Sequence, residues 1–355
     1  MNGSIIGVPR EARAYEGRVA LTPDAVSLLV GQGNRVVVEK GAGELCGFPD
    51  DLYIMSGGEI APDAPSLYGV SRLIVKVKEP QPGELAFLRD DHILFCFLHL
   101  AADHDLMDAL CEIGLTAIAF ETVEVDGRLP LLAPMSKIAG KIAVQIGARL
   151  LHQPEGGKGV LLGGVGEIDS GHVVVIGGGV AGSAAIQVAS ALGARVTVLE
   201  HSEENISRVN ALGSNVNGMF STPENIEEMV ASADLLIGAV LVKGDRTPKL
   251  VSAEMIRQME AGGVVIDISV DQGGCIETTR PTNYDNPTHL VGNVIHFGVT
   301  NMPGAVPRTS SQALSAVILP WVTRLARPDW RTNHALVNGI NVDGGEVVYA
   351  TLRSK

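Results

Sequence analysis

The sequence predicts an α/β protein built from two doubly wound domains, and three observations support that fold class. Short apolar runs typical of buried strands alternate with helix-like segments along most of the chain. A glycine-rich turn in G-x-G-x-x-G spacing, at Gly177, Gly179 and Gly182, follows one of these runs and opens a helix. The chain has 355 residues, which is long enough for two separate hydrophobic cores.

The first part of the chain establishes the alternation. Residues 4–8 form an apolar run, and Thr22 and Pro23 then open a helix, with Thr22 as the expected cap. The later apolar runs predict strands at 35–39, 73–77, 93–98 and 115–120, with a helix at 105–113. A long helix is predicted over 133–151 and is interpreted as the connection between the domains.

The second part continues with the same pattern of elements. Beyond residue 200 the predicted helices cover 203–212, 225–232 and 253–259, and the predicted strands cover 219–220, 235–240, 263–268 and 294–299. The last long helix, over 310–325, is expected to return to the first domain.

Residues 172–200 combine a strand, the glycine turn, a helix, a second strand and a terminal carboxylate, which is the order of a dinucleotide-binding unit. Gly177 permits a sharp turn, Gly179 leaves room for a pyrophosphate, and Gly182 allows the helix to pack closely. Glu200 follows Gly177 by about 20 residues, the spacing of the acid that binds the adenosine ribose. Its charge would repel a 2′-phosphate, which favours NAD over NADP. A simple tight turn is the alternative in a chain with 42 glycines, but the complete order argues against it.

Composition excludes several classes of protein. With 46% hydrophobic and 19% charged residues the chain is globular, and its net charge of −13 argues against nucleic acid and anionic membranes as partners. No apolar stretch approaches the ~20 residues of a membrane span. The cysteines lack C-x-x-C spacing, which favours reduced thiols and a cytoplasmic protein; they are Cys46, Cys96, Cys111 and Cys275.

Ionisable side chains stand where predicted strands end. Lys76 and Lys78 alternate with valines and therefore share one face, which could be a solvated strand edge. Lys78, however, is at a carboxyl end, where open α/β sheets bind ligands. His99 ends the next run; a lone histidine there is more often structural, but two ionisable strand ends favour a site. Asp271 follows the strand at 263–268, beside glycines that would let a ligand approach the backbone.

Several phrases closely resemble the alanine dehydrogenase family, which includes the transhydrogenase α subunit. Two of them, KVKEP at 76–80 and FLHLA at 97–101, differ from the transhydrogenase subunit. The resemblance covers nearly the whole chain in order. Besides the glycine motif, the other matching phrases are RVALTP at 18–23, LLAPMS at 131–136, DISVDQGGC at 267–275, RPTNYDNPT at 280–288 and TNMPGAVPRTS at 300–310.

The resemblance implies NAD-dependent oxidative deamination of L-alanine to pyruvate and ammonia by reversible hydride transfer, in a homohexamer. It implies that Arg18 and Lys78 bind the substrate carboxylate, that Lys78 belongs to the catalytic group, that His99 is the acid/base and that Asp271 helps to activate water or ammonia. The implied cofactor-binding residues are Ser136, Gly177, Gly179, Val180, Ala181, Gly182, Glu200, Asn205, Ser221, Val240, Ile268, Asp271, Arg280, Val299, Asn301 and Met302.

These roles divide the chain into a substrate domain, at 1–132 and 306–355, and an NAD-binding domain at 133–305, which are expected to face each other across a cleft. Two positions depart from the family: Glu200 where aspartate is common, and Lys137 where glutamate is common. Some family members carry a Glu-x-x-x-His pair where this chain has Arg324 and Pro328, so no metal is expected.

Two other functions compete with this interpretation. The same residues could act on another small amino or imino acid, because the lining of the substrate pocket is not identified by the sequence. The chain could also be a non-catalytic NAD-binding module, although such a module has no need for Arg18, Lys78 and His99 together.

Overall fold

The computed structural model describes residues 4–242 and 247–353. The chain divides into two compact units, Met1–Met135 with Gly304–Lys355, and Ser136–Pro303. Each unit contains one sheet covered by helices. We refer to them as the first and the second unit.

Strands β1 to β15 follow one another along the described chain. They are β1 (Ile5–Val8), β2 (Arg35–Glu39), β3 (Glu59–Ala61), β4 (Leu73–Val75), β5 (Ile93–Cys96), β6 (Thr116–Ala119), β7 (His172–Ile176), β8 (Arg195–Glu200), β9 (Val216–Phe220), β10 (Leu235–Gly238), β11 (Val264–Asp267), β12 (Thr288–Val291), β13 (Val294–Phe297), β14 (Ile340–Asp343) and β15 (Glu346–Val347).

The α-helices connect these strands or cover the sheets. They are α1 (Pro23–Gly31), α2 (Asp50–Met55), α3 (Ala64–Val70), α4 (Pro82–Leu85), α5 (His104–Ile113), α6 (Ala133–Leu150), α7 (Val180–Ala191), α8 (Glu203–Asn210), α9 (Pro223–Ala231), α10 (Ala253–Arg257), α11 (Pro307–Leu325), α12 (His334–Asn338) and α13 (Ala350–Arg353).

The sheet of the first unit has the strand order β3-β2-β1-β4-β5-β6-β14-β15. Strands β1 to β6 are parallel, and β14 and β15 continue the sheet in antiparallel pairing. The chain order reverses between β1 and β4. At such a reversal point the connections from neighbouring strands run to opposite sides of the sheet, and doubly wound sheets bind ligands there, beyond the carboxyl ends of the strands.

The sheet of the second unit repeats this arrangement in the order β9-β8-β7-β10-β11-β13-β12. Its strands are parallel except for β12, which pairs antiparallel with β13 at the edge. The reversal lies between β7 and β10. The α/β fold class predicted from the alternating pattern is therefore confirmed for both units.

Both faces of the second sheet are buried, as a parallel sheet covered by helices requires. In β7, Val173 and Val175 pack into one apolar cluster with residues of α7, while Val174 and Ile176 pack into a second cluster on the opposite face. A separate apolar cluster, which includes Ile74 of β4, forms a core of the first unit. The continuous apolar runs of the sequence reflect this two-sided burial.

The structure corrects several expected details. β4 ends at Val75 and β5 at Cys96, two residues before the predicted ends. Strands β3, β12, β14 and β15 were not predicted. Thr22 precedes α1, but its hydroxyl does not cap the helix and lies 3.2 Å from Ser315 Oγ instead. The predicted N-cap position is therefore confirmed, but the side-chain hydrogen bond of a cap is absent, because the hydroxyl of Ser315 is the partner of the Thr22 hydroxyl.

The cysteines and helices bear on two further expectations. All four cysteines are free thiols, with Cys46, Cys96 and Cys275 buried and Cys111 partly exposed. In the part of the chain that the structure describes, no helix is both long and apolar enough to span a bilayer.

Candidate substrate and cofactor sites

Lys78 lies just beyond β4, in a segment held by a buried carboxylate. Glu11, which follows β1 at the reversal point, accepts hydrogen bonds from the backbone N–H groups of Val77 at 2.6 Å and Lys78 at 3.2 Å. Lys76 Nζ lies 3.4 Å from Glu11 Oε2 and 3.0 Å from Glu84 Oε2. Both lysines are buried, so the alternative of a solvated strand edge is wrong. Lys76 is part of a buried ionic network that supports the segment carrying Lys78.

His99 is held in the same way on the neighbouring strand. Glu121, which follows β6, accepts hydrogen bonds from the N–H groups of Leu98 at 3.1 Å and His99 at 2.6 Å. The backbone of His99 is left-handed, with φ 51° and ψ 34°. Its ring stacks on Phe97 with centroids 5.8 Å apart, and its Nδ1 lies 3.8 Å from Glu121 Oε1. The imidazole is therefore fixed by both its backbone and its ring contacts.

The ends of β4 and β5 bring Lys78 and His99 to one edge of the first sheet. The strands pair in parallel, and the ladder continues beyond them because the N–H of Phe97 donates to the carbonyl of Val77 at 3.0 Å. Lys78 and His99 follow these two paired segments directly. The prediction that each residue stands at the carboxyl end of a strand of one domain agrees with this arrangement, and the structure adds that the two strands are neighbours.

Arg18 is buried and clamped by a neighbouring carboxylate. Its Nε donates to Glu16 Oε1 at 2.7 Å, its Nη2 donates to Glu16 Oε2, and its Nη1 lies 3.1 Å from Met135 Sδ. Burial raises the pKa of the Glu11 carboxyl; Lys76 opposes that rise and Glu16 adds to it. Glu16 is therefore within electrostatic reach of the network that supports Lys78.

In the second unit, the glycine turn has the geometry that its sequence indicates. Gly177 has φ 91°, a conformation that favours glycine. A Cβ at Gly182 would lie 1.9 Å from the carbonyl oxygen of Gly177, so the packing of α7 excludes any side chain there. A Cβ at Gly179 would meet no atom of the described residues within 4 Å. The turn therefore has open space at the N-terminus of α7, where backbone N–H groups can bind phosphate.

Glu200 ends β8 and bonds to the glycine turn. Its Oε1 accepts a hydrogen bond from the N–H of Gly178, and its Oε2 lies 3.3 Å from Asn205 Nδ2. Ser221 follows β9 and donates its N–H to the carbonyl of Glu200 at 2.8 Å. Among the described residues, the buried hydroxyl of Ser221 has no hydrogen-bond partner. A buried hydroxyl without a partner, in a residue bonded to the backbone of Glu200, fits a ligand rich in hydroxyl groups, such as a ribose.

Asp271 is exposed and lies in a short 3-10 turn, Val270–Gln272, which follows β11. Buried Asp267 holds the base of this loop, because it accepts hydrogen bonds from the N–H groups of Ser269 at 3.0 Å and Ile276 at 3.1 Å. Burial raises the pKa of Asp267 to about 6, against the lowering effect of these bonds. Both ends of the loop that carries Asp271 are thus hydrogen-bonded to one buried carboxyl group.

Most other predicted cofactor-binding residues lie in the loops that leave the carboxyl ends of the second sheet, or at the start of a helix. Val180 and Ala181 begin α7, and Ser136 lies in the first turn of α6. The segments after β10, β11 and β13 carry Val240, Ile268, Val299, Asn301 and Met302, and Arg280 lies between β11 and β12.

Left-handed backbone at non-glycine residues also marks parts of both units. Within the described chain it occurs at Tyr15, His99, Asp126 and Asn301. His99 and Asn301 are predicted site residues, and Tyr15 precedes the Glu16 that clamps Arg18. Such conformations are uncommon and concentrate at functional sites, so they support the sequence assignments.

Comparison with known proteins identifies the family. The family model described as alanine dehydrogenase/PNT, N-terminal domain matches residues 7–139, and the C-terminal domain model matches residues 143–350. The alanine dehydrogenase of Bacillus subtilis (strain 168) is 45% identical over 351 residues, which cover 97% of this chain and 93% of that protein.

The chain belongs to the alanine dehydrogenase/PNT family.

Solved structures agree with this assignment. An L-alanine dehydrogenase is similar with a TM-score of 0.94 and 46% identity, covering 99% of this chain and 98% of that one. A transhydrogenase from Sinorhizobium meliloti gives a TM-score of 0.83 and 26% identity, covering 98% of this chain and 99% of that one. The predicted family, enzyme class and cofactor, NAD, are confirmed, and the predicted L-alanine dehydrogenase activity is supported by these relatives. The open space at Gly179 and the hydroxyl of Ser221 fit that cofactor.

The family pattern does not by itself identify the carboxylates that hold the site segments, and these residues were not predicted. These are Glu11, Glu16, Glu121 and Asp267. One signal was present for three of them: each stands at, or within three residues after, the carboxyl end of an apolar strand. Among the described residues, no group of three or more His, Cys, Asp or Glu side chains is arranged to hold a metal ion.

Proposed function

We propose that this chain catalyses the reversible, NAD-dependent oxidative deamination of L-alanine to pyruvate and ammonia, with the substrate residues in the first unit and the cofactor residues in the second. The observation that carries the residue assignment is the pair of neighbouring strand ends that present Lys78 and His99. The relatives at 42 to 45% identity, all named alanine dehydrogenases, support the choice of alanine.

Arg18 and Lys78 bind the substrate carboxylate in this proposal. Glu16 occupies Nε and Nη2 of Arg18 and fixes the plane of the guanidinium. Nη1 contacts the thioether of Met135, which is a weak acceptor. A substrate carboxylate is a much stronger acceptor and would displace that contact. Lys78 adds a point charge, so the carboxylate is held by a fork and a cation together.

His99 is the acid/base in this proposal. In the direction of deamination, the α-hydrogen of alanine leaves with two electrons and the resulting iminium adds water. The addition product then loses ammonia to give pyruvate. Water must lose a proton as it adds, and the departing nitrogen must gain one. A histidine can accept and return protons near neutral pH, and the fixed ring of His99 offers them from one position. Asp271 assists by binding the water or ammonia.

NAD supplies the acceptor for the hydride when it is bound. The residues that would hold it are those at the carboxyl edge of the second sheet. The N-terminus of α7 at Gly179 offers N–H groups to the pyrophosphate. Glu200 and Ser221 offer a carboxylate and a hydroxyl to the adenosine ribose, and the negative charge of Glu200 disfavours a 2′-phosphate.

The test is NADH formation by the purified chain with NAD and each of alanine, serine, 2-aminobutyrate and glycine. We expect the highest kcat/KM for alanine and little activity with NADP. Preference for another amino acid would favour the alternative of a related dehydrogenase. Binding of NADH without turnover of any amino acid would favour a non-catalytic module. The His99→Ala variant should bind NADH as the unchanged chain does and turn over alanine far more slowly.

A homohexamer and a cytoplasmic location complete the proposal. The family resemblance supports the hexamer, and α2 of the first unit offers apolar side chains for contact with another copy, since Ile54 is 55% and Met55 is 82% exposed. The four free thiols support a reducing compartment. Light scattering of the purified chain tests the assembly, and a monomer would contradict it.

A further inference from the structure

The guanidinium of Arg208 rests on the glycine turn, although neither the motif nor the family resemblance assigned it a role. Arg208 lies on α8, and its Nη2 donates to the carbonyl oxygen of Gly178 at 2.8 Å. Its Nη1 donates to the hydroxyl of Ser183 on α7 at 3.0 Å. No Asp or Glu in the described part of the chain is ion-paired with Arg208. This cation is therefore placed beside the turn without a neutralising carboxylate bonded to it.

Glu200 holds the opposite side of the same residue. It accepts the N–H of Gly178, while Arg208 donates to the carbonyl of Gly178. Asn205 bridges the two, since its Nδ2 lies 3.3 Å from Glu200 Oε2 and its Oδ1 lies 3.4 Å from Arg208 Nη2. A carboxylate and a guanidinium thus flank one glycine, next to the open space at Gly179.

We propose that Arg208 is a second residue that binds the adenosine end of the dinucleotide, and that Glu200 and Arg208 together determine the preference between NAD and NADP. This inference rests on the proposed placement of the adenosine ribose at Glu200. Arg208 is exposed, so a ligand can reach its unused N–H donors and the face of its guanidinium.

The two charges act differently on the two cofactors. A ribose 2′-hydroxyl donates to a carboxylate, whereas a 2′-phosphate is repelled by it and attracted by a guanidinium, which binds phosphate through parallel hydrogen bonds. With Glu200 ionised, the attraction of Arg208 for a 2′-phosphate is opposed at short range. Removal of the Glu200 charge alone should therefore expose an NADP-binding property that is already present at Arg208.

The experiment measures the dissociation constants of NADH and NADPH for the full chain by titration of coenzyme fluorescence. The variants are Arg208→Gln, Glu200→Gln and the double variant, with Arg195→Gln as the matched control. Arg195 is an exposed arginine of the same unit at the opposite end of β8. Glutamine at position 200 keeps an oxygen for the N–H of Gly178, so the turn keeps its bond.

For Arg208→Gln we expect NADH to bind about tenfold more weakly, the effect of one charge-assisted hydrogen bond. Glu200→Gln should bind NADPH at least tenfold more tightly than the unchanged chain, and the double variant should lose that gain. Arg195→Gln should alter neither constant by more than about twofold, the scatter expected for a surface substitution.

The proposal is overturned if Arg208→Gln binds NADH as the unchanged chain does and the double variant keeps the gain for NADPH; Arg208 would then only brace the turn. If Arg208→Gln lowers the melting temperature, a double variant of Glu200→Gln and Arg208→Lys decides between cofactor binding and bracing of the turn. Lysine keeps the positive charge but lacks the paired N–H groups of a guanidinium. Retained NADPH binding supports the proposal and loss of it refutes it. An unchanged chain that binds no NADH would instead refute the proposed function.

Discussion

Replacing Glu121 with alanine tests whether the backbone of His99 must be held for catalysis. Glu121 accepts the N–H groups of Leu98 and His99 and lies 3.8 Å from the imidazole Nδ1. Each hydrogen bond to a charged acceptor contributes about 1.5 to 3 kcal/mol. Because the carboxylate is partly exposed, we take the lower end, or about 3 kcal/mol for both bonds.

That energy opposes the cost of the left-handed backbone at His99, which is about 1 to 2 kcal/mol for a residue with a Cβ. Without Glu121 the left-handed conformation loses its main hydrogen-bonded support, and the imidazole spends most of its time elsewhere. If the active arrangement of His99 becomes about 2 kcal/mol less stable than the alternative arrangements, its population falls roughly thirtyfold. We expect kcat to fall by the same factor.

The assay is steady-state NADH formation from alanine, together with titration of NADH binding. We expect kcat to fall for Glu121→Ala while the dissociation constant of NADH stays the same, because the residues assigned to NAD are untouched. Glu121→Gln should recover most of kcat, since its remaining oxygen can accept both N–H groups. Glu112→Ala, an exposed glutamate on α5, is the control. Unchanged kcat in Glu121→Ala would refute the reasoning, and so would equal losses in the alanine and glutamine variants.

Two further predictions concern the second unit. Gly182→Ala should prevent folding of that unit or abolish NADH binding, because its Cβ would lie 1.9 Å from a backbone oxygen. The Cβ of Gly179→Ala would meet no described atom within 4 Å, so this variant should fold normally but bind NADH at least tenfold more weakly. Circular dichroism and NADH titration distinguish the two variants, and equal behaviour would contradict the assigned roles of the glycines. For Asp267, burial raises the pKa to about 6 from 3.8, so the folded state binds more protons than the unfolded state between these values. The contribution of Asp267 to stability is therefore greatest below pH 3.8 and decreases as pH rises through 6, by about 3 kcal/mol in total. Urea unfolding between pH 4.5 and 7.5 should show this slope in the unchanged chain relative to Asp267→Asn, and identical slopes would count against it.

The fold could be predicted from the sequence because its main signals are local. Each buried parallel strand is a continuous apolar run, and the limits of β2 were predicted to the residue. Strands β3, β12, β14 and β15 were missed because they are short and lie at the edges of the sheets, with β14 next to the edge strand β15. There, pairing and not composition determines the structure. Burial on both faces of a sheet gives a strong pattern, and an edge strand gives a weak one.

The site was predicted less completely, for a related reason. The side chains that the proposal assigns to chemistry follow strands directly, so their positions can be read from the runs that precede them. The partners that hold them come from other parts of the chain: Glu11 precedes Lys78 by 67 residues, and Glu121 follows His99 by 22. Neither separation along the sequence follows the periodicity of a helix or a strand. Each pairing depends on which strands become neighbours in the sheet. A sequence therefore indicates which group lies at the edge of a sheet more readily than what fixes it there.

The same device recurs at four strand ends, and its repetition has a physical cause. Beyond the last ladder bond of a parallel strand, backbone N–H groups lose their partners, while the loop must leave room for a ligand. A carboxylate satisfies two such groups at once, as Glu11, Glu121 and Asp267 do, and Glu200 does so for Gly178 and His201. This arrangement fixes the backbone without filling the space above it. It also concentrates negative charge at the two sheet edges that the proposed function assigns to the anionic groups of the substrate and of the cofactor. Cations lie close to several of these carboxylates in a chain whose net charge is −13: Lys76 pairs with Glu11, and Arg208 is connected to Glu200 through Asn205. Arg18 pairs with a further carboxylate, Glu16. Removing a cation from the carboxyl edge of the second sheet should therefore weaken anion binding more than removing an equally charged residue elsewhere on that unit, which is the comparison that Arg208→Gln and Arg195→Gln provide.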